Sequence, residues 1–230
     1  MTGGDRPRSR IAAVDSPNEL AVEWRGREAY GATWQRQLEL RGLRREGQAG
    51  DTLILVEHEP VVTVGRHGDS ANLLLPEAQL RQRGVELFHV ERGGDVTYHG
   101  PGQLVGYPII SLARRALSVR ELMRNLEEAL IRTVGGFGIA AGREPGLTGV
   151  WHESGKLAAL GVAVQGGVSF HGFALNVDPD LSYFQLIVPC GIVGRAVTSM
   201  AEVLGRPVSL GDVMPVCVRH LRDVFGYTAG

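Results

Sequence analysis

Apolar residues recur along this chain with two different periods, and the switches between them mark its elements. From Arg27 to Arg45, Tyr30, Trp34 and Leu38 fall at helical spacing and predict a first helix with one buried face, weakened by Gly31 and Gly42. Asp51–Glu57 and Val61–Gly65 are apolar runs around Pro60 and predict strands. Val85–Val90 and Leu104–Ile110 repeat that signal on either side of a glycine-rich stretch. Ser118 and Glu121 have capping-box spacing. They predict a helix with Leu122, Leu126, Ala129, Leu130 and Val134 on its buried face, closed by Gly135 and Gly136. Phe137–Ala141 reads as a further short strand. Ser199 and Glu202 repeat the capping pattern, with Gly205 as the stop. Asp212 predicts the start of a last helix, with Pro215 in its first turn and Val213, Cys217, Leu221 and Val224 at helical spacing.

Between these helices, Gly149–Val177 has the pattern of consecutive hairpins, with Ser154-Gly155 and Gly166-Gly167 as two-residue turns. The second turn sets a register: Gln165 opposes Val168, so Ala159, Leu160 and Gly161 oppose Ala174, Phe173 and Gly172. Strict alternation then places Lys156, Leu160, Val162, His171 and Phe173 on one face and Ala159, Gly161, Ala163, Gly172 and Ala174 on the other. The face of small residues leaves room for a ligand or for a packed helix. Strands alternating loosely with helices, together with hairpins, imply an α/β fold with a mixed sheet and flanking helices. Residues 1–10 are polar and are expected to be a disordered leader, with 11–230 a single domain.

Charge and cysteine content narrow the function classes. A net charge of -1 over 230 residues argues against a general nucleic-acid binder. No apolar run approaches the roughly 20 residues of a membrane span. Two cysteines make no disulfide framework, and reduced thiols of a cytoplasmic protein are expected. The 7 histidines have no HExxH or CxxC-type context, so no metal and no cofactor is expected. Of the 24 basic residues only Lys156 is lysine, which marks a position where an amine able to give up its proton is wanted, or a compositional accident.

Two segments carry candidate chemistry. Arg92-Gly93-Gly94-Asp95-Val96-Thr97-Tyr98-His99-Gly100-Pro101-Gly102-Gln103 combines exposed amides with side-chain donors, but lacks the Gly-Lys-Ser/Thr ending of a phosphate loop. Val188-Pro189-Cys190-Gly191-Ile192 puts a cysteine on a loop after an apolar run. Such a thiol is a nucleophile only if a partner stabilises its thiolate, and is otherwise a small buried hydrophobe.

Together these residues resemble the lipoyl(octanoyl) transferase family. Its R-G-G-x-x-T-aromatic-H-x-x-G-Q motif is present from Arg92 to Gln103, with Tyr107 four residues later. Gly155-Lys156-Leu157-Ala158-Ala159-Leu160-Gly161, His171-Gly172-Phe173-Ala174-Leu175-Asn176 and Pro189-Cys190-Gly191-Ile192 match three further motifs in order. The resemblance implies a fold similar to the catalytic domains of biotin and lipoate protein ligases. It also implies an acyltransferase in which Cys190 accepts the acyl group and Lys156 moves the protons. Acyl-binding segments carry over to Arg92, Gly93, Gly94, Asp95, Val96, Thr97, Tyr98 and His99, to Ala159, Leu160 and Gly161, and to Gly172, Phe173 and Ala174. The implied partners are octanoyl-acyl carrier protein and the lipoyl domains of 2-oxoacid dehydrogenase complexes and glycine cleavage H protein, with no nucleic acid and no membrane. Arg41, Arg44 and Arg45, or Arg114, Arg115 and Arg120, are candidate docking clusters for the acidic carrier. An ATP-dependent lipoate or biotin ligase is the alternative enzyme, and an acyl-binding protein without turnover the non-enzyme alternative; the Cys190 segment speaks against the first and the Cys190–Lys156 pair against the second.

Overall fold

The computed structural model describes residues 18–188 and 196–228, so the expected leader lies outside the described residues. Among the described residues, ten strands and five α-helices form two sheets and their covering layers. β1 (Leu20–Glu28), β2 (Asp51–His58), β6 (Gln103–Ile109), β10 (Val168–Asn176), β9 (Gly155–Gln165), β8 (Leu147–His152) and β7 (Gly142–Glu144) lie side by side in that order. β1 is parallel to β2, and the other neighbours are antiparallel. A smaller sheet has the order β4 (Glu86–His89), β3 (Val61–Val64), β5 (Val96–His99). The α/β mixed sheet with flanking helices is the expected class.

One face of the large sheet is covered by α3 (Val119–Gly135) and α5 (Leu210–Phe225). Ser118 caps α3 with the full reciprocal box, and the expected Leu122, Leu126, Ala129, Leu130 and Val134 are all buried against the sheet. Val213, Cys217 and Leu221 of α5 join the same core. That helix starts three residues before the expected point: Ser209 is its N-cap and accepts from the Asp212 amide, which leaves Pro215 inside the helix. The short α4 (Met200–Leu204) is capped by Ser199 and ends at Gly205. The other face is covered by α1 (Tyr30–Arg45) and the small sheet.

Several expectations shift. β1 takes the first residues of the expected N-terminal helix, because Leu20, Val22 and Trp24 alternate. The glycine-rich stretch contains strand β5, and α2 (Glu77–Gln82) follows Pro76 unannounced. Phe137–Ala141 forms no strand; the pairing starts at Gly142. Among the described residues, no helix is long and apolar enough to cross a membrane.

The β9–β10 register is the expected one, with Ala159, Leu160 and Gly161 opposite Ala174, Phe173 and Gly172. Strict alternation nevertheless fails at two places. Val150 pairs with Ala158 and Trp151 with Lys156, so Leu157 is an extra residue in β9, a bulge that reverses the parity before it. Lys156 thereby shares the cleft-side face of Ala159 and Ala174, not the face of Leu160 and Val162. His171 has φ +54, which turns its side chain away from Phe173 and towards Tyr30, Glu91 and Tyr107.

Candidate active site

The glycine-rich loop between β4 and β5 is docked on β9. The Gly93 amide donates to the Val162 carbonyl at 2.9 Å, and a Cβ at Gly161 would lie 2.8 Å from the Gly93 oxygen, so only glycine allows this approach. Arg92 is buried and turns back onto β3, its Nη2 donating to the Thr63 carbonyl and hydroxyl at 2.7 and 2.9 Å. Asp95 accepts from the Asp69 amide and from Asn72 Nδ2, tying the loop to the segment after β3. The loop is therefore held from both sides before it meets any ligand.

Between this loop and the β9–β10 hairpin lies a cleft with about 460 Å³ of open space. Arg92, Gly94, Thr97, His99, Ala159, Leu160, Gly161, Gly172, Phe173 and Ala174 line it, joined by Tyr30, Tyr107 and His171. A second, tighter chamber adjoins it, lined by Lys156, Tyr98, Gln103, Asn176, Phe184 and Val197, and shares Thr97, Ala159 and Ala174 with the first. These three residues lie between the two chambers. Of the expected acyl-binding residues, Gly93 and Asp95 hold the loop and line neither chamber, and Val96 packs into the core of the small sheet.

Lys156 is 7% exposed and its backbone is fixed on both sides: its amide donates to Ala196 and its carbonyl accepts from Thr198, at 2.9 and 3.1 Å. Cys190 lies outside the described residues. The chain on either side of it is anchored beside this site, with the Val188 amide donating to Asn72 at 2.8 Å and Ala196 bonded to Lys156.

A hydrogen-bond chain crosses the site with a polarity set at its far end. Thr198 O can only accept, so Asn176 presents Nδ2 to it at 2.9 Å and Oδ1 to Gln103 Nε2, also at 2.9 Å. Gln103 then turns Oε1 to His99, and Nδ1 of His99 carries the proton that it donates at 3.2 Å. Burial, with His58 and Arg92 nearby, holds His99 well below the usual histidine range, so it is neutral. Behind the cleft, His58 Nδ1 donates to the Glu28 carbonyl and its Nε2 accepts from the Tyr107 hydroxyl at 2.8 Å. Burial lowers both His58 and His171 to about 4.

His58, Tyr30 and Thr63 were not among the expected site residues. A histidine directly after the run Asp51–Glu57 is the available signal for the first. Cys217 is the buried core thiol its spacing implied, pushed up to about 12 by burial. The arginine clusters divide. Arg44 is buried in a 2.6 Å pair with Asp51, and Arg115 stacks on Tyr227, so neither is available to dock a carrier. Among the described residues no group of three or more His, Cys, Asp or Glu side chains could hold a metal ion.

The family model described as the lipoyl protein ligase A/B catalytic domain matches residues 29–222. An octanoyltransferase from Alkaliphilus metalliredigens is 48% identical over 88% of this chain and 93% of its own length. One from Koribacter versatilis is 49% identical over 87% of this chain and 82% of its own. The crystal structure of lipoate-protein ligase A bound with ATP superposes with a TM-score of 0.71, covering 93% of this chain and 87% of that one at 16% identity, a likeness of fold. The chain belongs to the lipoyl protein ligase A/B catalytic domain family, among its octanoyltransferases.

Proposed function

We propose that this protein transfers an octanoyl group from an acyl carrier protein thioester to Cys190, and from there to a lysine of a lipoyl domain, as a cytoplasmic enzyme. One observation carries the reading: the single lysine of the chain lies in a cleft-side chamber and is hydrogen-bonded to the chain that follows Cys190. Lys156 takes the Cys190 proton, and the thiolate attacks the thioester carbonyl. The carrier thiolate leaves and takes the proton back from Lys156. The target amine then attacks the acyl-Cys190 carbonyl, gives a proton to Lys156 and forms the amide, and Cys190 leaves as thiolate. Exchange between thioesters is close to neutral and amide formation is downhill, so no ATP is consumed. In this reading the acyl chain runs past Thr97, Ala159 and Ala174 and fills the larger, mostly apolar cleft, whose lining supports such a chain.

Intact-mass analysis after incubation with octanoyl carrier protein tests this. An octanoyl adduct on the wild type, absent from Cys190→Ala and present in a Cys217→Ala variant, is expected. An adduct on Cys217, or strict dependence on ATP with free octanoate, overturns it in favour of another nucleophile or the ligase reading. Lipoyl domains of 2-oxoacid dehydrogenase complexes and glycine cleavage H protein are the proposed acceptors.

A further inference from the structure

Lys156 and Trp151 are paired residues across the β8–β9 hairpin. The Lys156 Nζ lies over the Trp151 ring, 4.9 Å from its centroid. That is inside the roughly 6 Å over which an indole face attracts an ammonium group. Trp151 is 5% exposed, so water competes little for the charge. Gly149, two residues earlier on the same strand, has φ +132, and a Cβ there would lie 2.8 Å from Lys156 Cε and 3.3 Å from Trp151 Nε1. The lysine tail passes through space that any larger residue would fill. The Leu157 bulge and the bonds to Ala196 and Thr198 place the backbone; ring and glycine border the tail.

We propose that Trp151 is a positioning residue for the transfer reaction, its indole face seating the Lys156 ammonium at the cleft; this rests on the role given to Lys156 above. The ring attracts the charged amine. It therefore holds Nζ once the Cys190 proton has arrived and until that proton passes to the departing carrier thiol. Trp151 itself touches no reacting atom in this scheme. Without the ring, the flexible four-carbon stem samples rotamers that carry Nζ away from its seat at the cleft.

Because Lys156 is the only lysine, lysine-selective isotope labelling gives one ε-methylene signal by NMR. We expect that signal to be shifted upfield by the indole ring current in the wild type, and to move to the free-lysine position in Trp151→Leu. We also expect Trp151→Leu to lose about 2- to 30-fold in kcat with KM for the octanoyl carrier protein unchanged, the cation–π strength converted to rate. Trp151→Phe, which keeps an aromatic face, recovers most of the loss. A wild-type signal at the free-lysine position overturns the seat even if Trp151→Leu fails to fold. A shifted signal with equal kcat in the Leu and Phe variants overturns the positioning role. Absence of transfer by the wild type overturns the function reading instead, and the ring shift still decides the seat.

Discussion

The two faces of the seven-stranded sheet are built on different rules. Against α3 and α5, the strands present Leu104, Leu157, Phe173 and Leu175 to a mostly apolar core, with Glu127 and Thr133 of α3 as buried polar exceptions, and the helices answer with residues at regular helical spacing. Against α1 and the small sheet, the same strands bury Gln103, Tyr107, Lys156, His171 and Asn176, and α1 buries Thr33, Gln37 and Arg44. The first face is held by area removed from water. The second adds polar groups that must each find a partner, and most do: Gln37 accepts from the His171 amide at 2.8 Å, and Arg44 pairs with Asp51. Changes on the first face therefore act on the fold, and changes on the second act on chemistry.

The sharpest way to separate them is Lys156→Arg. Arginine keeps the positive charge but does not give up its proton. If Lys156 shuttles protons, transfer falls by about 10²- to 10⁴-fold with the melting temperature little changed. Acylation of Cys190 should suffer less than release onto the target amine, since a fixed cation still favours the thiolate. Single-turnover rates of the two half-reactions check this, and near-normal rates in both would show that Lys156 acts only as a charge.

Leu126→Ala makes the opposite cut. Leu126 is wholly buried in α3, on the packing face. Truncation should cost about 2–5 kcal/mol of stability, read by denaturant melts, while kcat below the transition stays at the wild-type value. A loss of kcat matching the loss of Lys156 variants would mean that the two faces are not separable.

Gly161→Ala strikes where the faces meet. The new Cβ would sit 2.8 Å from the Gly93 carbonyl and 3.2 Å from Arg92 Cδ, both in the loop that roofs the cleft. We expect about 1–3 kcal/mol of destabilisation from overpacking. Octanoyl transfer should also fall more than butanoyl transfer, because the roof moves over the deeper part of the chain. Equal losses for both chain lengths would place the acyl group elsewhere.

The same division explains what was legible in the sequence. The α3 face, the α5 face and the β9–β10 register follow from periodicity and turn residues alone, because on the packing side side-chain direction and burial are the same variable. Lys156 and His171 depart from the face that strict alternation predicts for one reason: each precedes or occupies a break in alternation, the Leu157 bulge and the positive φ of His171, which a period of two cannot encode. α1 misled in a related way. Its fully buried positions include Thr33, Gln37 and Arg44, while Trp34 and Leu38 are only partly covered, because the helix is held to the sheet by polar contacts as well as apolar ones. The candidate chemistry was legible through the motifs. The buried supports, His58, Tyr30 and Thr63, were not, since their partners lie far away along the chain: His58 bonds to Tyr107, 49 residues on.

The smallest expected effect, and one confined to the polar face, is the pH dependence of stability. His58 and His171 are buried and neutral, with burial lowering each to about 4 from an unfolded value near 6.5. Between those limits the unfolded chain binds more protons than the native one. Their contribution is therefore complete above about pH 6.5 and is lost as pH falls towards 4. At pH 5.5 the loss is about 1 kcal/mol for each histidine relative to pH 7, which lowers the melting temperature by roughly 4–8 °C for the pair. His99, also held low, acts in the same direction. His58→Gln should flatten part of this slope while leaving Leu126→Ala additive with pH, because Leu126 packs on the other face of the sheet from both histidines. A melting temperature that does not fall between pH 7 and 5.5, or an equal slope in the His58 variant, would show that these imidazoles are protonated in the native state and that the polar face is wetter than its burial implies.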